Sequence, residues 1–226
     1  MKEMYARTAL LIGEDALMRL QSAKVAVAGL GGVGGHCAEA LARAGVGALH
    51  LVDCDVVTES NLNRQLVATK RTLGMRKTDA MAARIADVSD CAVTTADIRI
   101  DADTVAAAVP ADTDFLVDAI DSLLGKVALI EYAYARGIRV ISCMGAGNRL
   151  DPAGFRVLDV YETANDPLAR NLRHELRKRA IPALPVVCSR ELSHAAPGQR
   201  VIGSLAPVTA AAGLCAAGYV LRTLCE

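Results

Sequence analysis

Asp53, Asn61, Arg64, Lys77 and Asp121 are the side chains in this sequence whose types and spacing suit a triphosphate, and they follow a glycine-rich turn, Gly29-Leu30-Gly31-Gly32-Val33-Gly34. Glycines there let the chain turn tightly and bring backbone N–H groups to a phosphate, which then rests on the positive end of the following helix. Asp53, in Val52-Asp53-Cys54-Asp55 about 20 residues on, can hydrogen-bond ribose hydroxyls. A turn and an acidic residue of this kind most often mark a dinucleotide site. A dehydrogenase, however, never breaks its pyrophosphate, so backbone amides suffice to hold it. Arg64, in Asn61-Leu62-Asn63-Arg64-Gln65, and Lys77, 13 residues beyond, add the positive charge needed when an anion attacks a triphosphate and pyrophosphate departs. Asp121, in Asp118-Ala119-Ile120-Asp121, can hold the magnesium ion that bridges phosphate oxygens. The chemistry suggested is adenylation of a carboxylate.

Such residues must be carried on elements that bring them to one crevice. Apolar runs predict strands near Val25 to Ala28, Leu49 to Val52, Val93 to Ile98, Phe115 to Val117 and Val140 to Cys143. Helical patterns alternate with them at Val33 to Ala44, Arg76 to Ala86, Asp103 to Ala108 and Leu123 to Arg136, after an N-terminal helix over Glu14 to Leu20. That alternation predicts an α/β fold, a doubly wound, mostly parallel, Rossmann-like sheet. Ligands in such sheets bind off the strand carboxyl ends, where Gly29, Asp53, Asp121 and Gly145 all fall. Beyond Asn148, which reads as a turn residue, the Asp151-Pro152-Ala153-Gly154 turn leads into a C-terminal extension: a short strand at Arg156 to Val160, a basic helix, an irregular loop or lid from Ile181 to Gln199, a strand ending near Ser204, and a buried helix from Pro207 to Leu224. Residues 1–226 thus read as one domain, a nucleotide-binding core over 1–148 and a C-terminal part over 149–226.

With these residues in place, the sequence resembles the ThiF-type adenylating superfamily related to ubiquitin-activating enzymes, which includes the bacterial activators of molybdopterin synthase and of the thiamin sulfur carrier. The pattern of glycine turn, acidic strand end, Asn-x-x-Arg-Gln, spaced Lys and Asp-x-x-Asp is met by Gly29, Gly31, Gly32 and Gly34, by Asp53, by Asn61 with Arg64 and Gln65, by Lys77, and by Asp118 with Asp121. The resemblance implies ATP and magnesium as cofactors, with Asp53 on the ribose, Asn61, Arg64 and Lys77 on the phosphates and Asp121 on the magnesium-bound ATP. Arg7, in Ala6-Arg7-Thr8-Ala9-Leu10-Leu11-Ile12-Gly13, is similar to the N-terminal arginine that reaches into the neighbouring subunit's site, which implies a homodimer. Three stretches, Arg7 to Gly13, Val117 to Ser122, and Met144 to Pro152 continued by Asp166-Pro167-Leu168-Ala169, resemble the tRNA threonylcarbamoyladenosine dehydratases in particular. Those enzymes activate the carboxylate of threonylcarbamoyl-adenosine with ATP, and an atom of the same carbamoyl group then closes a ring with net loss of water. A tethered nucleophile makes the closure effectively unimolecular, so no enzyme nucleophile is required. The segment Val187 to Gly203 is shorter than is usual in that family.

Composition bounds the partners. Formal charge is zero, so no global field advertises a nucleic acid. Arg170, Arg173, Arg177 and Lys178 nevertheless fall at helical spacing and offer a face for a tRNA backbone, against the plainer reading of a solvated helix surface. Aromatic content of 3% with no Trp argues against base stacking as the main mode of recognition. The seven cysteines form no Cys-x-x-Cys pair, which speaks against structural zinc, and Cys188 reads as a packing residue rather than a thioester nucleophile. Met1 to Leu20 holds no signal segment, which predicts a cytoplasmic protein. The uncharged run Val201 to Leu221 is long enough to span a bilayer, but Gly, Ser, Pro and Thr dilute it and no membrane span is expected. The rival function is activation of a ubiquitin-like sulfur carrier. A cysteine desulfurase or sulfur-acceptor protein as a further partner is left open.

Overall fold

The computed structural model describes residues 2–196, 198 and 201–226. Two short helices, α1 (Ala6–Ile12) and α2 (Glu14–Ser22), precede β1 (Lys24–Ala28), α3 (Gly34–Ala44), β2 (Ala48–Val52), α4 (Lys77–Ala86), β3 (Ala92–Ala96), α5 (Val105–Ala108), β4 (Phe115–Asp118), α6 (Leu123–Arg136) and β5 (Arg139–Cys143). The C-terminal part adds β6 (Phe155–Asp159), α7 (Pro167–Lys178), β7 (Pro185–Ser189) and α8 (Ala206–Cys225). All seven strands join one sheet in the order β3-β2-β1-β4-β5-β7-β6, parallel throughout except where β6 runs antiparallel to β7. The expected α/β class and parallel order hold.

Alternation along the strands splits the core in two. Val25, Val27, Phe115, Val117, Ile141 and Cys143 face one side with α3, α4 and α8. Ala26, Ala28, Leu116 and Val140 face the other with α5, α6 and α7. Strands covered on both faces are expected to read as unbroken apolar runs. Helix α8 is buried mainly through small residues. A Cβ added at Gly213 would stand 2.2 Å from the Val33 carbonyl oxygen, so α8 and α3 touch backbone to backbone. By length and composition α8 is the one described helix that could cross a membrane, yet in this fold Val208, Ala212, Ala216 and Val220 pack into the core beneath the sheet.

Three expectations need correction. The stretch Ile181 to Gln199 is not a loop throughout, because Pro185–Ser189 forms β7, inserted between β5 and β6. Its flanking prolines suggested a loop, but Pro185 stands at the first strand position, where proline is tolerated. Residues 201–205 form no strand, and the predicted helix over Asp103 to Ala108 contracts to its last turn, Val105–Ala108. Pro197 and Gln199, at the end of the expected loop, and Met1 of the segment searched for a signal lie outside the described residues.

Candidate active site

The glycine turn joins β1 to α3 at the carboxyl end of the sheet. Gly29 has φ +89° and its N–H donates to the Val52 carbonyl at 2.7 Å. A Cβ there would stand 2.7 Å from the Ala119 carbonyl oxygen, and one at Gly34 would stand 1.7 Å from the Gly29 carbonyl oxygen. Both positions are therefore closed to any other residue. Gly31 is different, since a Cβ there would meet only the Gln65 amide at 3.8 Å. The open turn ahead of an 11-residue helix is a ready anion site.

Asp53 holds that turn from β2. One carboxylate oxygen accepts from the Leu30 N–H at 2.7 Å and the other from the Asp55 N–H at 2.9 Å. A carboxylate offers about four lone-pair sites. The side chain can therefore organise the loop and still accept a ribose hydroxyl. Lys77, at the first position of α4, is buried and reaches back to Asp55 at 2.7 Å and Asp53 at 3.9 Å. The Lys77 hydrogen bond holds the Asp55 carboxyl below the ordinary carboxylate range.

Between these two lies the Asn61 to Gln65 segment. Asn61 Oδ1 accepts from the Thr58 N–H at 3.1 Å in a capping box, so part of its side chain shapes the turn and its NH2 is left as a donor. Arg64 lies beside the glycine turn, its Cγ 3.3 Å from where a Gly32 Cβ would stand. Its guanidinium donates to the Ser60 carbonyl and to Asn63 Oδ1. Gly29, Gly31, Gly32, Gly34, Asp53, Arg64 and Lys77 are thus brought to one crevice.

The pair Asp118 and Asp121 divides its labour. Asp118 is fully buried, bound by Lys126 and Ser142. Asp121 is exposed, and its carboxylate has no partner among the described residues. Sequence reasoning missed Lys126; the signal available was a lone charge within the apolar run Gly125 to Ile130. It also missed the work of Arg149 beyond the Asn148 turn, which has φ +55°. Arg149 is buried and paired with Asp166 at 3.1 Å, while the Asp166 carboxylate also accepts from the Gly145 and Ala169 N–H groups. Arg149 donates further to the Gly145 and Glu191 carbonyls.

Arg7 stands apart. It is exposed on α1, with Leu10 and Leu11 at 87% and 85% exposure beside it, and no described contact joins it to the crevice within one chain. The expected nucleic-acid face on α7 is engaged in part within the chain, while Arg170, Arg177 and Lys178 stay exposed. Arg173 donates to the Thr163 carbonyl and hydroxyl, Arg177 lies over the Tyr161 ring at 5.2 Å, and Lys178 pairs with Glu175 at 2.7 Å. Of the four, Arg170 alone has no side-chain partner among the described residues.

The fold and these residues match known proteins. The sequence model of the ThiF family matches residues 5–226. The tRNA threonylcarbamoyladenosine dehydratase of Bacillus subtilis is 41% identical over 182 residues, covering 80% of this chain and 72% of that protein. Its counterpart in Escherichia coli is 40% identical over 177 residues, 78% of this chain and 66% of that protein. The chain thus spans roughly two thirds of these relatives' length. The crystal structure of the E. coli dehydratase TcdA in complex with ATP superimposes with a TM-score of 0.92 at 36% identity, covering 98% of this chain and 93% of that one.

Proposed function

The chain belongs to the ThiF family, and from that premise we propose that it is a dehydratase that uses ATP to activate the carboxylate of threonylcarbamoyl-adenosine in tRNA and closes it to a ring. The observation that carries this reading is the Asp166 knot. The two stretches that resemble the dehydratases, Met144 to Pro152 and Asp166 to Ala169, meet through Asp166, Gly145 and Arg149 at a strand end of the nucleotide crevice.

A carboxylate oxygen attacks the α-phosphorus of ATP and pyrophosphate leaves, giving an acyl-adenylate. A carbamoyl atom then attacks the activated carbonyl, the carbamoyl group gives up an N–H proton, and AMP departs with the former carboxylate oxygen. The N–H groups of the glycine turn and the α3 terminus hold phosphate oxygens, and Arg64 and Lys77 neutralise the charge that develops on the leaving pyrophosphate. Asp53 holds the ribose.

Magnesium fits Asp121, an exposed oxygen ligand with no competing partner, and does not fit Asp118, whose oxygens are consumed by Lys126, Ser142 and Ile120. When bound, the ion supplies charge neutralisation between phosphate oxygens. A homodimer suits α1, whose exposed Leu10 and Leu11 share a helix face with Arg7. Arg7 then completes the partner's phosphate site. A tRNA substrate suits a cytoplasmic protein, and Arg170, without a side-chain partner among the described residues, is the α7 charge best offered to the tRNA backbone. A cysteine desulfurase or sulfur-acceptor protein is not needed by this chemistry.

A thioester or persulfide route through Cys188 is disfavoured, since that residue lies inside β7, buried, its thiol pushed up to about 11 by that burial. Sulfur-carrier activation itself is disfavoured by the absence of Cys-x-x-Cys pairs. The deciding experiment measures AMP release with ATP and magnesium beside tRNA carrying threonylcarbamoyl-adenosine, unmodified tRNA, or none. AMP formed only with the modified tRNA, with a nucleoside lighter by one water, is the expected result. AMP formed equally in all three would refute the reading.

A further inference from the structure

We infer that Lys126 is a positioning residue for Asp121, acting through Asp118, and that this buried ion pair is kept for that placement and not for stability. The inference rests on the reading of Asp121 as the magnesium-facing carboxylate.

Lys126 and Asp118 have no side-chain exposure at all. The ammonium lies 3.1 Å from each Asp118 oxygen, 3.3 Å from Ser142 Oγ and 2.8 Å from the Cys143 carbonyl oxygen. The Ser142 hydroxyl donates to Asp118 Oδ2 at 2.5 Å. One cation from α6 therefore ties the carboxyl ends of β4 and β5 together. Asp118 Oδ1 in turn accepts from the Ile120 N–H at 3.3 Å, and the Ala119 N–H donates to the Ala28 carbonyl at 2.8 Å. The turn that ends in Asp121 is held from β4 on one side and from β1 on the other. That same turn is the wall against which Gly29 lies, since a Cβ at Gly29 would stand 2.9 Å from the Ile120 nitrogen. The network thus sets where Asp121 emerges relative to the phosphate-binding turn.

Neither group reaches solvent, so neither touches substrate. A fully buried pair rarely repays the cost of stripping water from both ions, and apolar replacements of similar volume are often neutral or stabilising. The pair lies on the side of the sheet that holds Ala28, Leu116, Val127, Ile130 and Val140, where methionine and valine are of similar volume, and its polar neighbours are Ser142, the Cys143 carbonyl and the Ile120 N–H. An apolar pair could fill the space but could neither hold the Ile120 N–H nor bridge two strand ends.

The test compares two double variants with the intact protein by calorimetry of ATP binding, with magnesium and with chelator. Lys126→Met with Asp118→Val removes the acceptor. It should melt within a few degrees of the original and bind magnesium-free ATP within about twofold, yet lose about tenfold of the affinity that magnesium adds, as expected of a misplaced ligand. Lys126→Met with Asp118→Asn keeps an oxygen for Ile120 but loses the cation that bridges β4 and β5, so it should restore only part of the magnesium response; full restoration would show that Lys126 positions nothing. A misfolded first variant, an unchanged magnesium response, or equal loss with and without magnesium would each overturn the inference. Asp121→Asn serves as the control: if it keeps the full magnesium response, the reading of Asp121 itself has failed, whatever the pair variants do.

Discussion

The Lys77 ammonium sits 2.7 Å from an Asp55 carboxylate that is 63% exposed, while its own side chain is only 7% exposed. The lysine proposed to bind phosphate is thus already paired, and an arriving triphosphate would have to share it or displace Asp55. An exposed partner contributes only about 0.2–1 kcal/mol to such a pair. Its negative charge also opposes the phosphates. Asp55→Asn is therefore expected to tighten ATP binding by roughly 2- to 10-fold with little change in melting temperature. Isothermal titration decides the point; weaker binding would mean that Asp55 orients Lys77 and does not compete with phosphate.

Much of this site is legible in the sequence because its signals are local. Helix α6 runs over Leu123–Arg136, the predicted span, since Ser122 caps it and Gly137 ends it in the left-handed region. The glycine turn, Asp53 and Lys77 sit where short-range pattern puts them. What the sequence conceals depends on distant partners. β7 is a five-residue run buried on both faces, without the alternation that betrays a strand, and its prolines imitate a loop. Asp118 resembles a ligand until Lys126 is seen beneath it. Nor does the sequence show that Thr163, in the turn before the helix, takes up Arg173, or that Arg177, still exposed, lies over the Tyr161 ring.

The glycines separate by what surrounds them. Gly34→Ala drives a methyl into the Gly29 carbonyl, so it should lower stability by about 1–3 kcal/mol and abolish ATP binding as the turn shifts. Gly31→Ala meets only the Gln65 amide, at an ordinary contact distance of 3.8 Å, and should fold normally, with any loss confined to the nucleotide. Denaturant unfolding beside ATP titration of the two variants checks this, and equal destabilisation would contradict it.

No thiol is expected to act in the reaction. Cys143 is pushed up to about 12 and Cys188 to about 11, in both cases by burial. Iodoacetamide at pH 8 should label exposed Cys54 first and leave Cys37, Cys143 and Cys188 untouched until the protein unfolds. Cys188→Ala should keep full AMP release while costing about 1–2 kcal/mol of packing. Loss of AMP release in a normally folded Cys188→Ala protein would revive a covalent route.

Stability should fall as pH drops below about 6.5. Burial holds His50 below its ordinary value, and its ring bonds the Ala108 carbonyl at 3.0 Å and the Thr94 hydroxyl at 2.7 Å. The carbonyl can only accept, so Nε2 carries the hydrogen and Nδ1 is left to accept from the hydroxyl. The folded state therefore favours the neutral ring, whereas the unfolded chain takes up a proton on the way down. The stabilising contribution is complete above the unfolded value and declines below it. His50→Gln should flatten the dependence of melting temperature on pH between about 7.5 and 5.5. The flattening should be partial, because burial lowers His36 as well. An unchanged slope would place the effect elsewhere.

Arg7 offers the sharpest test of a shared site. It is exposed on α1 and makes no described contact with Arg64, Lys77 or Asp121 of its own chain, although α1 itself is anchored through Tyr5, Ala9 and Leu17. Arg7→Ala should therefore leave melting temperature nearly unchanged while lowering AMP formation by about 10²- to 10³-fold, the scale of losing one charge at a leaving phosphate. Lys77→Ala should be similarly inactive for the complementary reason. If each site draws Lys77 from one protomer and Arg7 from the other, mixing the two variants under exchange conditions yields mixed dimers in which one of the two sites carries both residues. Statistical exchange makes about half of all dimers mixed, so about a quarter of the original activity should return. If Arg7 instead served its own chain, every site in every mixture would still lack one residue, and no activity would return at any ratio.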